Sequence, residues 1–298
     1  MRAMPEWTLL PHQEGLSALE FLRCRLPAAP LAYLRQLLRS EKVWGENGII
    51  RENDLPRAGE SLRLPESARL ADLLLESAEL GVAILWETPQ LLAVDKPAGL
   101  AVHSSQGHEQ DNLLLRIKNL LARRGEQCTP APIHRLDRDT SGAILFGKNR
   151  QAAAALGKIF MAGEVEKTYL ALVCGAGAGS GRLSAPVPAK GKIKDAATAF
   201  HFLGIASRHS LVALRLETGR THQIRRHLAD LGHPLAGDRR YGGPALAGQT
   251  HFFLHCRSLA FADPPKSPQR AILAPLPDEF AAQLDTLGIS RPPEKGMI

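Results

Sequence analysis

One carboxylate stands between two guanidinium groups in residues 134–142, which read His-Arg-Leu-Asp-Arg-Asp-Thr-Ser-Gly. Asp137 has Arg135 two positions before it and Arg138 directly after it, and nearby positive charges favour the ionised form of a carboxyl group. An ionised carboxylate serves as a nucleophile, a base or a salt-bridge partner. The residue types alone leave the salt bridge as the default, and Asp139 is a second candidate for any chemical role.

A second stretch about eighty residues later offers a partner for such a carboxylate. Residues 218–225 read Thr-Gly-Arg-Thr-His-Gln-Ile-Arg, so Arg220 lies next to Gly219, where the missing side chain lets backbone approach closely. A forked donor suits a carboxylate that must stay charged and oriented. The other interpretation of Arg220 is a surface arginine that binds phosphate.

The metal-site alternative rests on three histidines near the same segment. His222, His227 and His233 are spaced by five and then six residues, so they do not share one helical face as ligands four residues apart would. The sequence contains no His-Glu-x-x-His motif. We therefore expect no metal centre.

The elements that position these stretches alternate between strand and helix patterns. Strand-like apolar runs occur at 83–94, 143–147, 168–174, 197–205, 210–217 and 252–262. Helical periodicity fits 111–124, 150–162 and 221–231. The mixture predicts an α+β fold with a mixed, largely antiparallel sheet and flanking helices.

Charge is unevenly distributed along the 298 residues, which carry a net charge of +7. Residues 1–85 hold ten Lys/Arg against twelve Asp/Glu, whereas residues 86–298 hold twenty-seven against eighteen. A polyanion is therefore expected to bind mainly to the second part. No secretory signal or membrane span is recognisable, and the four cysteines lack Cys-x-x-Cys spacing, which favours a cytoplasmic protein with reduced thiols.

Four motifs in order carry a resemblance to a known family. Besides the two stretches above, residues 91–100 read Leu-Leu-Ala-Val-Asp-Lys-Pro-Ala-Gly-Leu, and residues 167–173 read Lys-Thr-Tyr-Leu-Ala-Leu-Val. Residues 82–280 thereby resemble the RluA-type RNA pseudouridine synthases. The resemblance implies a catalytic domain at 83–285 with a central cleft, and an enzyme that isomerises uridine in structured RNA.

Such an isomerisation detaches uracil from the ribose, rotates it and reattaches it through carbon, so it requires no cofactor. The base must first be flipped out of the RNA stack. The resemblance assigns Asp137 as the catalytic carboxylate in preference to Asp139. Asp137 either attacks the anomeric carbon or helps to remove the ribose 2′ proton on a glycal-like route, and the sequence does not separate the two.

The resemblance also assigns the residues around Asp137. Arg220 is similar to the family's buried arginine that pairs with the carboxylate. Tyr169 corresponds to the aromatic residue that stacks on the displaced uracil, since stacking on aromatics is favourable by ~1–3 kcal/mol per base. Its hydroxyl is also a candidate relay for the proton that leaves carbon five.

The remaining assignments concern RNA and the uracil pocket. Arg135 is expected to fill the gap left by the flipped nucleotide or to bind phosphate. Leu136 and Ile224 are expected to form the pocket wall, with core packing as the alternative. Lys96 is either a phosphate contact or a turn charge, and Arg225 is expected to be solvated or to contact phosphate rather than to take part in catalysis.

The first 68 residues resemble, more loosely, an S-four-type RNA-binding domain. Two short helices within 16–40, broken near Pro27 and Pro30, precede short strands and turns from Trp44 to Leu64. RNA binding there would depend on Arg35, Arg39 and Lys42, whose alternative is plain solvated charge. Residues 69–82 are expected to be a linker, and residues 286–298 a loose tail.

The expected partner is RNA, with large-subunit ribosomal RNA favoured over transfer RNA. We expect a monomer that needs neither a membrane nor a metal. Two other functions stay open: a transfer RNA pseudouridine synthase, and a non-catalytic RNA-binding or ribosome-assembly protein of the same fold. The second would tolerate loss of Asp137, Arg220 or Tyr169, all of which are present.

Overall fold

The computed structural model describes residues 5–10, 13–79, 81–104, 110–189, 191–206, 208–246, 248–262 and 269–293. The chain divides into two compact units. The first contains Met1–Asp95, His103–Ile133 and Leu145–Ala154, and the second contains Lys96–Val102, His134–Ile144 and Ala155–Ile298. This division follows packing rather than chain order, and the boundaries drawn from the sequence stay a prediction.

The first unit begins with short strands and two helices. Its elements are β1 (Glu6–Thr8), α1 (Ala18–Arg25), α2 (Leu31–Arg39), β2 (Trp44–Gly45), β3 (Gly48–Ile49), β4 (Ser61–Arg63), α3 (Ala68–Glu79), β5 (Ala83–Glu87), β6 (Leu91–Lys96), α4 (Leu113–Arg123) and β7 (Ala131–Pro132). A four-stranded sheet has the order β1-β4-β2-β3. The predicted order of two helices followed by short strands is confirmed.

Local sequence explains both N-terminal helices. Ser17 and Glu20 form a reciprocal capping box that satisfies the first amide groups of α1. In α2 three of the four leucines at helical spacing are buried while Arg35 and Arg39 are exposed, as their spacing predicts.

A buried charge cluster ties α1 to the rest of the first unit. Glu87, at the end of β5, accepts hydrogen bonds from Arg23 of α1 at 2.5 and 3.0 Å and from Arg124 at 2.9 Å. Lys148 bridges Glu87 and Glu126. A buried carboxylate is tolerated only when it is paired in this way.

The second unit contains most of the large sheet. Its elements are β8 (Ser141–Gly147), α5 (Arg150–Ala162), β9 (Glu166–Cys174), β10 (Ser180–Leu183), β11 (Val187–Ala189), β12 (Lys192–Lys194), β13 (Thr198–Ala206), β14 (His209–Leu216), α6 (Gln223–Asp230), a 3₁₀ turn (Arg239–Tyr241), β15 (Leu254–Ala262), β16 (Gln269–Leu273) and α7 (Asp278–Leu287). Residues of β8 and α5 are shared between the two units.

The strands of the second unit follow the order β10-β13-β14-β9-β15-β8. All of these pairs are antiparallel except β15 with β8, and β16 pairs antiparallel with β15. The predicted mixed, largely antiparallel sheet of an α+β fold is therefore confirmed. Among the described residues, no helix combines the length and the apolar character that a bilayer crossing requires.

Gly142 permits the parallel contact between β8 and β15. Its φ is +109°, and a Cβ there would lie 2.3 Å from the carbonyl oxygen of Cys256. Any side chain would push the two strands apart. The glycine of the Thr-Ser-Gly turn thus lets the strand that follows Asp137 enter the sheet beside Cys256.

The C-terminal part is more ordered than the sequence indicated. Helix α7 was not predicted, and its Phe280 and Leu284 are buried in a core cluster with Leu170 and Leu211. Ile289, within the expected loose tail, is buried in the same cluster. Residues 294–298 of that tail lie outside the described residues.

Candidate active site

A buried lysine holds the turn that carries Asp137 through hydrogen bonds to backbone carbonyl groups. Lys96 is fully buried, and its Nζ donates to the carbonyl oxygens of Pro97, Leu100 and Arg138 at 2.7–2.8 Å. Within the turn, the amide of Thr140 donates to the carbonyl of Asp137 at 3.1 Å. The phosphate contact predicted for Lys96 is therefore wrong, because its ammonium group is enclosed by backbone and holds the turn.

The arginine beside Asp137 is Arg225. Its Nη1 donates to Oδ2 of Asp137 at 3.3 Å, and Arg225 is buried while Asp137 remains partly exposed. Burial alone lowers the pKa of Arg225, but hydrogen bonds and charge from Asp238 and Asp137 raise it above its ordinary value. The expectation that Arg225 would be solvated or bound to phosphate is wrong.

Arg220 occupies a different place. Its Nε donates to the carbonyl of Asp195 at 3.2 Å, and its amide donates to the side chain of Gln223 at 3.0 Å. The assignment of Arg220 as the buried partner of Asp137 is therefore corrected: Arg220 lies in the turn before α6, which begins only at Gln223. The buried arginine, Arg225, is the third residue of that helix.

Gln223 anchors that turn. It is buried, and its side-chain amide nitrogen donates to the carbonyl of Ala197 and to the hydroxyl of Thr198, both at 2.9 Å. Its carbonyl oxygen accepts from the hydroxyl of Thr218 at 2.8 Å. These bonds attach the start of α6 to the start of β13, which fixes the direction in which Arg225 points.

Two residues at the site, Asp238 and Tyr241, were not identified from the sequence, and His222 was considered only as a metal ligand. Asp238 accepts hydrogen bonds from Nε and Nη2 of Arg225 at 2.6 and 2.8 Å. The hydroxyl of Tyr241 forms a hydrogen bond with Nδ1 of His222 at 2.8 Å. Nε2 of His222 lies 3.7 Å from Asp137. The signal available in the sequence was the run Gly-Asp-Arg-Arg-Tyr-Gly-Gly at 237–243, whose glycines mark a constrained turn around an acid and an aromatic residue.

His222 adopts a left-handed backbone conformation, with φ of 54° at the start of α6. Burial lowers its pKa, as do the nearby charges of Arg225, Arg240 and Arg226, although Asp137 acts in the opposite direction. His222 is therefore neutral at neutral pH and can donate a hydrogen bond from only one ring nitrogen.

Tyr169 lies on β9 opposite Cys256 of β15. The residue is buried, and burial is the main cause that raises the pKa of its hydroxyl well above the ordinary value, followed by its contact with Cys256 and the charge of Asp137. The hydroxyl therefore stays protonated at neutral pH. Cys256 is also paired with Gly142 of β8, so one position on β15 lies beside both Tyr169 and the strand that follows Asp137.

Asp139, the rival carboxylate, is already engaged. Arg138 donates two hydrogen bonds to the carboxylate of Asp139 at 2.7 and 3.1 Å, and Nδ1 of His251 lies 3.3 Å from that carboxylate. Burial raises the pKa of Asp139, but the hydrogen bond and charge of Arg138 outweigh this and lower it. Asp139 is thus held as a salt bridge, the default role for such a residue.

The other predicted residues differ in exposure. Leu136 and Ile224 are buried, and Arg135 is exposed. In the first unit, Arg39 and Lys42 are exposed, while Arg35 is exposed but bound to Glu52 at 2.9 Å. Their contacts with uracil or RNA stay predictions.

The three histidines considered as metal ligands have separate partners. His227 bonds Thr198 and the carbonyl of Ala185, His233 bonds the carbonyl of Cys174, and His222 bonds Tyr241. Within the described ranges, no group of three His, Cys, Asp or Glu side chains has the geometry to hold a metal ion.

Comparison with known proteins places this geometry in a family. The sequence model described as RNA pseudouridylate synthase matches residues 90–230, which contain Asp137, Tyr169 and Arg225. The chain is 32% identical over 301 residues to ribosomal large subunit pseudouridine synthase C of Escherichia coli O157:H7, covering 91% of this chain and 92% of the relative. It is 32% identical over 276 residues to ribosomal large subunit pseudouridine synthase D of Nitrosomonas europaea, covering 85% and 76%.

The solved structures agree on the fold. Human RNA pseudouridylate synthase domain containing 4 superposes with a TM-score of 0.61 at 22% identity, covering 76% of this chain and 98% of that one. At that identity the likeness shows the fold alone, whereas the similarity in sequence to the two bacterial relatives covers 92% and 76% of their lengths. The chain belongs to the RluA-type family of RNA pseudouridylate synthases.

Proposed function

We propose that this protein converts specific uridines of large-subunit ribosomal RNA into pseudouridine, with Asp137 as the reacting carboxylate. The observation that carries the proposal is the contact between Asp137 and the buried Arg225 at 3.3 Å, inside the segment that matches the family. A partly exposed carboxylate that a guanidinium holds in one orientation is suited to meet a sugar carbon.

The chemistry balances without a cofactor. The bond from the anomeric carbon to nitrogen one of uracil breaks, the bond to carbon five forms, and the proton of carbon five is lost while nitrogen one gains one. Asp137 either attacks the anomeric carbon or assists removal of the 2′ proton. Tyr169 stacks on the detached base, and its protonated hydroxyl is available for the proton relay.

RNA binding is assigned to exposed basic residues. Arg135, two residues before Asp137, is exposed and is proposed to occupy the gap left by the flipped nucleotide. Residues 86–298 carry the positive balance, and Arg35, Arg39 and Lys42 are proposed as additional RNA contacts within the negatively balanced residues 1–85. Because such contacts release counterions, affinity should fall steeply with salt concentration. Affinity that did not change with salt would argue against RNA as the substrate.

Ribosomal RNA is preferred over transfer RNA because the two bacterial relatives described above are named as large-subunit ribosomal enzymes. We place the protein in the cytoplasm as a monomer. The test is a map of pseudouridines in ribosomal and transfer RNA from cells with and without the gene. Loss of one or a few large-subunit sites supports the proposal. Loss confined to transfer RNA would identify the alternative substrate, and an unchanged map would indicate a non-catalytic role.

A further inference from the structure

We propose that Asp238 is a positioning residue for the reaction, acting through Arg225 to leave Asp137 oriented but weakly bound. This inference rests on the proposed function of Asp137. It concerns a carboxylate that does not touch the reacting atoms and that the sequence motifs did not single out.

The guanidinium group of Arg225 donates hydrogen bonds to two carboxylates. Asp238 accepts hydrogen bonds from Nε and Nη2 of Arg225 at 2.6 and 2.8 Å, whereas Asp137 accepts one only from Nη1 at 3.3 Å. Charge-assisted N–H···O bonds have lengths of about 2.7–2.9 Å. The strong bidentate interaction therefore belongs to Asp238, and Asp137 shares only one long hydrogen bond with Arg225.

Packing against two aromatic rings restricts the rotation of the Arg225 side chain. The ring of Phe252 lies 4.5 Å and the ring of Tyr241 lies 5.0 Å from the central carbon of the guanidinium. Both distances are within the range of a cation–π contact, about 6 Å. The fork and the two rings together fix the direction of Nη1.

Asp238 is itself held in place by a hydrogen-bonded turn. Its side chain is buried, its amide donates to the carbonyl of Leu235 at 3.1 Å, and its own carbonyl accepts from the amides of Tyr241 and Gly243 at 3.0 and 2.9 Å. A Cβ on Gly243 would lie 1.8 Å from the carbonyl oxygen of Leu235, so this tight turn requires glycine there.

The turn is also joined to the strand that carries Tyr169. The amide of Ala236 donates to the carbonyl of Leu172 on β9 at 2.9 Å, and Leu235 forms an isolated bridge with Val173. One stretch of backbone therefore sets the positions of Asp238 and β9 together. A shift of this stretch would move the guanidinium and the aromatic ring relative to Asp137.

Charge explains why the arrangement suits a reacting group. If Asp238 did not neutralise Arg225, the full positive charge would be available to Asp137, and the tighter pair would have to break before the carboxylate could react. Asn at position 238 keeps the shape and one acceptor but removes the charge. We therefore expect substrate binding to persist while the chemical step slows.

The experiment compares Asp238→Asn, Asp238→Glu and the control Asp230→Asn, an exposed acid on α6, under single-turnover conditions on large-subunit RNA. For Asp238→Asn we expect the rate of the chemical step to fall about 100-fold, the scale of a displacement of about 1 Å at a reacting group. RNA affinity should stay close to that of the unaltered protein. Asp238→Glu should recover part of the rate, and Asp230→Asn should retain it.

A double variant separates positioning from folding. If Asp238 acts through Arg225, then adding Asp238→Asn to Arg225→Gln should cause little further loss, because the group to be positioned is gone. Additive losses, or an Asp238→Asn variant with full rate, would overturn the inference. If Asp238→Asn does not fold, Asp238→Glu and its combination with Arg225→Gln carry the same test. An inactive unaltered protein would instead refute the proposed function.

Discussion

Arg225 donates from Nη1 to Oδ2 of Asp137 across 3.3 Å, although 88 positions separate the two residues in the chain. The contact joins a turn that Lys96 supports to a helix that Gln223 anchors. Several independent anchors therefore determine a single distance.

Arg225→Lys should slow pseudouridine formation by about 100-fold, since a lysine cannot reproduce the fork to Asp238 while reaching Asp137. The matched variant Arg220→Lys changes an arginine that contacts the carbonyl of Asp195 and should retain most of the rate. Single-turnover assays of both variants decide between them. A larger loss at Arg220 than at Arg225 would restore the assignment made from the motif.

Tyr169→Phe should keep RNA affinity and slow product formation by about 100-fold, because the ring still stacks whereas a positioned acid–base group contributes roughly 10²–10⁴-fold. Affinity and single-turnover rate are measured on the same RNA. Since the pKa of the Tyr169 hydroxyl is raised, the group stays protonated well into the alkaline range. An unchanged rate in the Phe variant would leave stacking as the role of this residue.

Lys96→Met should lower stability rather than weaken RNA binding through lost charge. The variant leaves three carbonyl oxygens without their buried donor, and each unsatisfied group costs about 1–3 kcal/mol. Urea unfolding measures the loss, with the exposed Lys118→Met as control. If Lys96→Met kept its stability and reduced the salt dependence of RNA affinity, a phosphate contact would be supported after all.

Glu87→Gln should destabilise the first unit by about 3–5 kcal/mol at neutral pH, the scale for breaking a buried ion pair from one side. Burial raises the pKa of Glu87, but the charges of Arg124, Arg23 and Lys148 outweigh burial and lower it. The unfolded chain therefore binds this proton at higher pH than the folded one. The stabilisation is complete above the ordinary carboxyl range and is lost as the pH falls through the lowered value.

Urea unfolding at neutral and acidic pH tests this dependence. The difference between Glu87→Gln and the unaltered protein should shrink in acid. The partly exposed Glu52, bound to Arg35, provides a control whose substitution should cost less than about 1 kcal/mol. A difference that stays constant with pH would mean that the Glu87 cluster does not act through charge.

The sequence was sufficient for the elements whose pattern is local. Ser17 with Glu20, the leucines of α2 and the apolar strands around Tyr169 follow from capping and periodicity, and the structure contains them. Helix α7 was not predicted, and its burial depends on residues more than 60 positions away, such as Leu211.

The structure brings the two motif stretches into contact, but the partner of Asp137 within the second stretch differs from the predicted one. The segment from Thr218 to Arg225 was recognised, but which of its two arginines faces Asp137 depends on where α6 begins. That position is set by the contacts of Gln223 with Ala197 and Thr198, which no local pattern encodes. Lys96 was misjudged for a similar reason, since its three carbonyl partners come together only in the folded turn.

The most direct test of the central claim is pseudouridine formation by Asp137→Asn, measured beside the unaltered protein on large-subunit RNA together with RNA affinity. Asparagine keeps the shape and a hydrogen bond to Arg225 but lacks the charge that the chemistry requires. We predict unchanged RNA binding and no detectable pseudouridine. Conversion of uridine by the Asn variant would contradict the assignment of Asp137.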